Sequence, residues 1–489
     1  MQRFFEFVPG ALSWITLFLM VFLSWQKPVW IAFFIILFDI YWLFKSLYLS
    51  LHLRATFRKM REYLKISWQD RLTILANWKS IHHLVILPMA DEPYEVVREA
   101  FESLAKTNYL KEKLFLVLAI EERAGKKAAE ISEKIKKEFS DIFPWLIVTK
   151  HPADLTGEIP GKGSNESWAA REAKKLIIDK LNLDYEKILV SVFDVDTQVY
   201  SDYFGCLTYH FLTAENPQRS SYQPIPLFTN NIYQAPALAR VISFSATFWQ
   251  MMQQSRPERL TTFSSHAMPF KALVEIGYWQ KDIVSEDSRI FWQCYLHYGG
   301  DWRVVPLFYP VSMDANVART FWQTLVNLYK QQRRWAWGAE NFSYMVFGFI
   351  ENKSISFQSK IYWTFNLLEG FHSWATSSLM IFALGWLPIL MGGGSFNQTL
   401  LSYNLPIVTR HIMIFASLGI ASSAILSIML LPKKSEKNRL YNYAFYLLQW
   451  ALMPITLIIF GAFPALEAQT RLMLGGKWRL GFWITPKRR

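Results

Sequence analysis

Val8 to Trp25 is a run of 18 residues without a charged side chain, and after Gln26-Lys27-Pro28 a second apolar run continues from Val29 to about Leu49. A helix needs about 20 mostly apolar residues to cross a bilayer core, and each run comes close to that length. A cleaved secretion signal is the alternative for the first run. No small-x-small cleavage site follows it, however, and another apolar segment begins at once. Two retained transmembrane helices are therefore expected over residues 1–50. Residues 51–80 then carry Arg54, Arg58, Lys59, Arg61, Lys65, Arg71 and Lys79 against Glu62 and Asp70. Such a basic juxtamembrane excess marks a cytoplasmic flank, which places the N-terminus and the middle of the chain on the cytoplasmic side.

Apolar character returns from Ile361 to Met391, from Pro406 to Leu431 and from Tyr441 to Pro464, so residues 348–466 are expected to form interfacial and transmembrane helices. The uncharged stretch from Gly392 to Asn404 reads as external. Lys433, Lys434, Lys437 and Arg439 read as internal, and so does the basic tail 467–489. Both internal assignments cannot hold if Tyr441 to Pro464 is one simple span. Its Pro454, Gly461 and Pro464 point to a segment that lies in the interface or re-enters, where protein shelters the irregular backbone. Asp39, Glu369 and His372 are ionisable groups inside apolar runs and so functional candidates, with a seat at the water boundary as the alternative for the last two.

Between these flanks, from about Ile81 to Phe347, the composition becomes that of a soluble domain large enough for one substantial core. Short apolar runs at His82 to Pro88, Leu114 to Ile120, Leu146 to Thr149 and Lys187 to Phe193 read as strands. Ala128, Ile131, Ile135 and Phe139 recur at helical spacing between them. Strands alternating with helices predict an α/β, Rossmann-like, mostly parallel sheet over residues 81–347, with ligands gathered beyond the strands' carboxyl ends. Of the 489 residues 52% are apolar and 19% charged, which excludes disorder. Cys206 and Cys294 are too few and too far apart for a disulfide scaffold or a zinc site. The formal charge of +13 sits largely at the membrane flanks, where anionic lipid heads account for it without nucleic acid.

The run from Lys187 to Phe193 leads into Asp194-Val195-Asp196, and strand alternation would turn both carboxylates to one side. Two hard oxygen ligands at one point suit Mg2+ or Mn2+ shared with a diphosphate. An isolated Asp-x-Asp is more often a solvated turn, so the weight falls on what accompanies it. Asp91-Glu92-Pro93 follows the first strand and Glu121-Glu122 ends the second. Gly161-Lys162-Gly163-Ser164-Asn165 precedes a helix, where a lysine in a flexible setting could reach a phosphate. Ser285-Glu286-Asp287 comes next, then Gln331-Gln332-Arg333-Arg334-Trp335 on an aromatic helix, whose plainer reading is a basic, Trp-rich face resting on the membrane.

Strand-end acids, Asp-x-Asp, Glu-Asp and Gln-x-x-Arg-Trp, in that order and flanked by apolar runs, resemble the membrane-integrated family 2 glycosyltransferases, the group of cellulose and hyaluronan synthases. The C-terminal Phe482-Trp483-Ile484-Thr485-Pro486-Lys487 also resembles the Phe-x-Val-Thr-x-Lys gating loop of cellulose synthase. The likeness covers about residues 81–345 and that tail. It implies a glycosyltransferase A-type domain between transmembrane helices. It further implies a divalent cation, Mg2+ or Mn2+, on Asp194 and Asp196, holding the diphosphate of a nucleotide-sugar donor. Asp287 would be the general base, supported by Glu286. Glu92, Glu121, Glu122, Lys162, Asn165, Gln331 and Arg334 would bind the donor and Trp335 the acceptor, while Phe482, Thr485 and Lys487 would form the gating-like element. One base and no covalent nucleophile would give inversion. Where the family usually has Asp-Asp for the nucleotide base this chain has Glu121-Glu122, and Ala90-Asp91-Glu92 stands for Tyr-Asn-Glu.

Three functions fit these motifs to different degrees. One is transfer to a carbohydrate acceptor, repeated and coupled to export through the spans, with or without an export partner. The second is transfer of one sugar to a lipid-linked acceptor. The third is a transporter or channel with a regulatory cytoplasmic domain, disfavoured because acids concentrate in the soluble part.

Overall fold

In the computed structural model, which describes residues 2–432, 439–481, 483 and 485, eight strands form one sheet. They are β1 (His82–Met89), β2 (Leu114–Glu121), β3 (Trp145–His151), β4 (Ile188–Val192), β5 (Gln198–Val199), β6 (Ser220–Leu227), β7 (Ala267–Pro269) and β8 (Arg303–Ser312). Their order is β3-β2-β1-β4-β7-β6-β8-β5. The pairs among β1 to β4 are parallel, as is β6 with β8; β7 runs antiparallel to β4 and β6, and β5 antiparallel to β8.

Period-two alternation explains why the parallel strands read as unbroken apolar runs. In β1, Val85, Leu87 and Met89 face one core while Leu84 and Ile86 face the other. A strand covered on both faces has no solvent side to show in its sequence. Helices Tyr94–Ala105 and Gly125–Phe139 close the first face, the latter burying Ala128, Ile131, Ile135 and Phe139 as its spacing predicts. Helices Lys162–Ala173 and Glu286–His297 close the second. A fully buried Leu, Ile or Phe side chain contributes roughly 1.5–3 kcal/mol, so these two layers hold the strand ends rigidly in register.

Among the described residues four helices are long and apolar enough to cross a membrane: Gln2–Gln26, Pro28–Tyr63, Leu400–Leu430 and Asn442–Leu474. Phe357–Phe382 and Leu384–Met391 make a fifth if the pair, bent by 49°, is one span. The second helix does not stop at the end of its apolar stretch. It runs on through the basic segment to Tyr63, and Leu53, Phe57 and Met60 pack on Ile225, Leu227 and Phe248 of the soluble domain. The helical segment Asn442–Leu474 contains a 3-10 turn over Gln449–Leu452 and a π turn over Ile458–Ala462, so its prolines and glycine are absorbed as local changes of winding.

Two of the ionisable groups singled out within these helices, Glu369 and His372, have polar partners. Glu369 Oε1 lies 2.5 Å from Lys45 Nζ and 2.9 Å from Ser373 Oγ, and His372 Nε2 lies 3.0 Å from Thr16 Oγ1. Asp39 is buried. Lys433, Lys434, Lys437, Phe482 and Lys487 lie outside the described residues.

Candidate active site

The carboxyl ends of β1, β2 and β4 open toward the N-termini of two helices, Lys162–Ala173 and Glu286–His297. Gly163 permits their close approach: a Cβ there would stand 2.8 Å from the Gln280 carbonyl oxygen and 3.1 Å from Glu286 Cβ. Two helix N-termini also favour negative charge between them.

At their meeting point the Lys162 ammonium collects four carboxylates. Its Nζ is 2.8 Å from Asp287 Oδ1, 3.1 Å from Asp194 Oδ1, 3.4 Å from Glu166 Oε1 and 3.5 Å from Glu286 Oε1. The side chains of Glu166 and Glu286 are 0% and 1% exposed, whereas Asp194 and Asp287 keep 30% and 22% of theirs open. Burial alone would lower the Lys162 pKa, but Asp194, Asp287, Glu166 and Glu286 outweigh it and hold the ammonium charged. Burial raises both Glu166 and Glu286, and the neighbouring Asp287 charge pushes Glu286 further, so the two buried carboxyls favour their neutral forms. Asp194 and Asp287, each partly open, form the side of the cluster that faces the cleft.

Asp194 and Asp196 have different surroundings. The strand ends at Val192, and the next residues form a turn in which Thr197 N–H donates to the Asp194 carbonyl at 2.8 Å, so strand alternation no longer applies. Asp194 stays in the cleft, its Oδ2 accepting from Ser264 Oγ at 3.0 Å. Asp196 is buried, and its Oδ2 accepts the Asp314 backbone N–H at 2.9 Å. From there polar contacts lead to the Gln331 helix, Phe321–Ala336: the loop after β8 carries Asn316, whose Nδ2 is 3.3 Å from Gln331 Oε1. Arg334 lies near enough to act electrostatically on Glu286. Trp335 rests between Phe228 and Phe263, with ring centroids 6.1 and 6.0 Å away.

Other expected donor-binding groups stand apart from the lysine cluster. Glu92 accepts from the Ala90 backbone N–H at 2.7 Å, and Asn165 Nδ2 donates to the Ala119 carbonyl at 2.8 Å, pinning its helix to the end of β2. Glu121 is ion-paired with Arg123, and the exposed Glu122 bonds the Ala153 backbone N–H at 3.1 Å. In the tail, Leu480 packs against the apolar cluster that includes Val284, Trp337 and Leu466, Lys330 Nζ lies 5.4 Å from the Trp483 ring centroid, and Thr485 is buried.

Sequence reasoning missed Glu166, Phe263, Ser264 and His266. Glu166 was within reach, because it sits four residues after Lys162 on one helix face. The Phe263–His266 turn has no sequence signature. Ser265 has φ +67°, and the turn aims Phe263 at Trp335 and Ser264 at Asp194, while burial pushes His266 down to about 4.

The description "Glycosyl transferase family group 2" matches residues 189–463, from β4 to the last helix. The chain belongs to this family. The matched span includes Asp194, Asp287, Gln331 and Arg334, while Lys162 and the first three strands lie before it. Family membership makes the chain a glycosyltransferase, and its mostly parallel sheet between apolar helices is a glycosyltransferase A-type domain in a membrane-helix frame. Comparison with the curated proteins gives no match. Among solved structures, the mannosyltransferase PcManGT from Pyrobaculum calidifontis in complex with GDP-Man and Mn2+ is 12% identical, covers 86% of this chain and 99% of its own, and has a TM-score of 0.41. TarS 1-349 of S. aureus in complex with UDP-GlcNAc is 13% identical, with coverage of 71% and 90% and a TM-score of 0.38.

All the carboxylates at the site offer hard oxygen ligands, the donor set that Mg2+ and Mn2+ accept. Among the described residues the tightest acidic group is Glu166, Glu286 and Asp287, whose ligand atoms lie within 4.8 Å of one another. Lys162 already neutralises that group from inside. Lys162 Nζ is also 3.1 Å from Asp194 Oδ1, so a divalent ion on either set of acids would share the cleft with the same ammonium.

Proposed function

We propose that the chain transfers a sugar from a UDP-sugar to a hydroxyl of a carbohydrate acceptor, with inversion, at the cytoplasmic face of a membrane that its apolar helices cross. The convergence of Lys162, Asp194 and Asp287 on one point carries this reading, with Arg334 near enough to act electrostatically on Glu286. Lys162 and Arg334 offer cationic contacts to the diphosphate, and the guanidinium fork matches its oxygens better than an ammonium does. Gln331 adds a neutral contact. Asp194 and Asp196 would hold Mg2+ or Mn2+, which supplies positive charge to the departing diphosphate. Asp287 accepts the proton of the acceptor hydroxyl as its oxygen bonds to the anomeric carbon. The bond from that carbon to the phosphate oxygen breaks, and its electron pair leaves with the diphosphate. A single displacement inverts the anomeric centre. Glu286, held toward its neutral form by burial, supports the base without adding a competing charge.

Asp194→Ala is expected to lower transfer by about a hundredfold or more and to remove the Mn2+ dependence of UDP binding, because an all-oxygen ion site loses an anchor. Titration of UDP with and without Mn2+ checks this. Trp335→Ala is expected to raise the acceptor KM by about tenfold and leave UDP binding within about twofold, since an aromatic face contributes roughly 0.5–1.5 kcal/mol beyond its buried area. Incubating the detergent-solubilised protein with labelled UDP-sugars and sizing the products tests the acceptor. A polymer ladder supports repeated transfer to carbohydrate. A single shift in lipid mobility replaces it with one-sugar transfer to a lipid-linked acceptor.

A further inference from the structure

The helix Phe463–Leu474 carries a carboxylate that the chemistry above does not use. Glu467 Oε1 accepts from Arg333 Nη1 at 2.6 Å and from Arg471 Nε at 2.7 Å, and its Oε2 accepts from Tyr329 OH at 2.8 Å. Arg471 alone, four residues on, could satisfy it within the helix. The other two donors come from the Gln331 helix, where Tyr329 and Arg333 are also four residues apart and share a face. An acid in a segment apolar enough to span a membrane is costly unless partnered, and these partners belong to the helix that carries Arg334 and Trp335.

The helix that holds Glu467 is itself fixed. Arg3 Nη1 and Nη2 donate to the Leu472 and Met473 carbonyls at 2.6 Å each, Ser13 Oγ to Gln469 Oε1 at 2.7 Å, and Gln469 Nε2 to the Phe371 carbonyl at 2.8 Å. Glu467 therefore stands on a post braced by the first helix and by Phe357–Phe382, and it grips the Gln331 helix one residue before Arg334.

We propose that Glu467 is a positioning residue: its carboxylate sets the placement of the Gln331 helix against the last apolar helix and so holds Arg334 at the diphosphate. This rests on the donor-site reading given above. A residue acting through Arg334 has no effect once Arg334 is gone, whereas a general loosening of the fold adds to any other loss. The test is equilibrium binding of UDP, with GDP in parallel, to the full-length protein in detergent with Mn2+. Glu467→Gln is expected to weaken binding about tenfold, the scale of one charge-assisted hydrogen bond, with Tm within a few degrees of wild type. In an Arg334→Ala background the same change is expected to add less than about twofold. Arg333→Gln cuts the contact from the other side, is expected to reproduce the tenfold loss, and decides the matter if the Glu467 variant does not fold. Wild-type affinity in the single variants, or a full further loss in the Arg334→Ala background, overturns the proposal. Wild-type protein that binds neither nucleotide overturns the donor-site reading, and this one with it.

Discussion

Replacing Asp287 with Asn is expected to reduce sugar transfer by about three orders of magnitude, within the range that a positioned general base supplies. The variant keeps the shape of the side chain and removes its capacity to take a proton. Asp287 is one of four carboxylates around Lys162, so three remain to hold the ammonium. The fold and UDP binding are therefore expected to persist, with Tm near that of wild type. Rates measured at saturating donor separate the two effects: a large drop in kcat with unchanged nucleotide affinity is expected. Transfer within tenfold of wild type would mean that another group takes the proton.

Lys162→Met is expected to act on the fold as well as on the reaction. Removing the ammonium takes away the cation that Glu166, Asp194, Glu286 and Asp287 all contact, and breaking a buried ionic cluster from one side costs about 3–5 kcal/mol. The loss depends on pH with a definite sign. The folded-state pKa of Glu286 is raised from 4.5 to about 8, and Glu166 is raised as well, so the folded protein binds protons that the unfolded chain releases. Stability from such groups is complete below 4.5 and is lost as pH rises through the folded value. Without Lys162 to oppose the shift, the destabilisation relative to wild type is expected to be smaller at about pH 5 than at about pH 8. Thermal unfolding of both proteins at the two pH values measures it. Equal Tm values throughout would show that the ammonium is not the centre of the cluster.

Much of the first half of the sheet is legible in the sequence because β1 to β4 are covered on both faces and appear as short apolar runs. The second half is not. β6 contains Pro224 and Pro226 and shifts register against β8 between Gln223 and Ile225, while β8 contains Pro306 and Pro310. Prolines remove ladder donors and are tolerated at such irregularities, so neither segment looks like a strand in advance. The order of the acidic and basic motifs pointed to one cleft, and Lys162, Asp194, Glu286 and Asp287 do meet there. What local spacing could not supply was the path of the chain after Val192, which buries Asp196, or the turn that brings Ser264 to Asp194 from seventy residues away.

Locating the nucleotide tests the central claim most directly. A cryo-EM map of the solubilised protein with UDP and Mn2+ is expected to show the diphosphate in contact with Lys162 and Arg334, with the metal on the acids that follow β4. Density for the nucleotide in a different hollow, such as the one lined by Asp179, Tyr185 and Lys271, would contradict it.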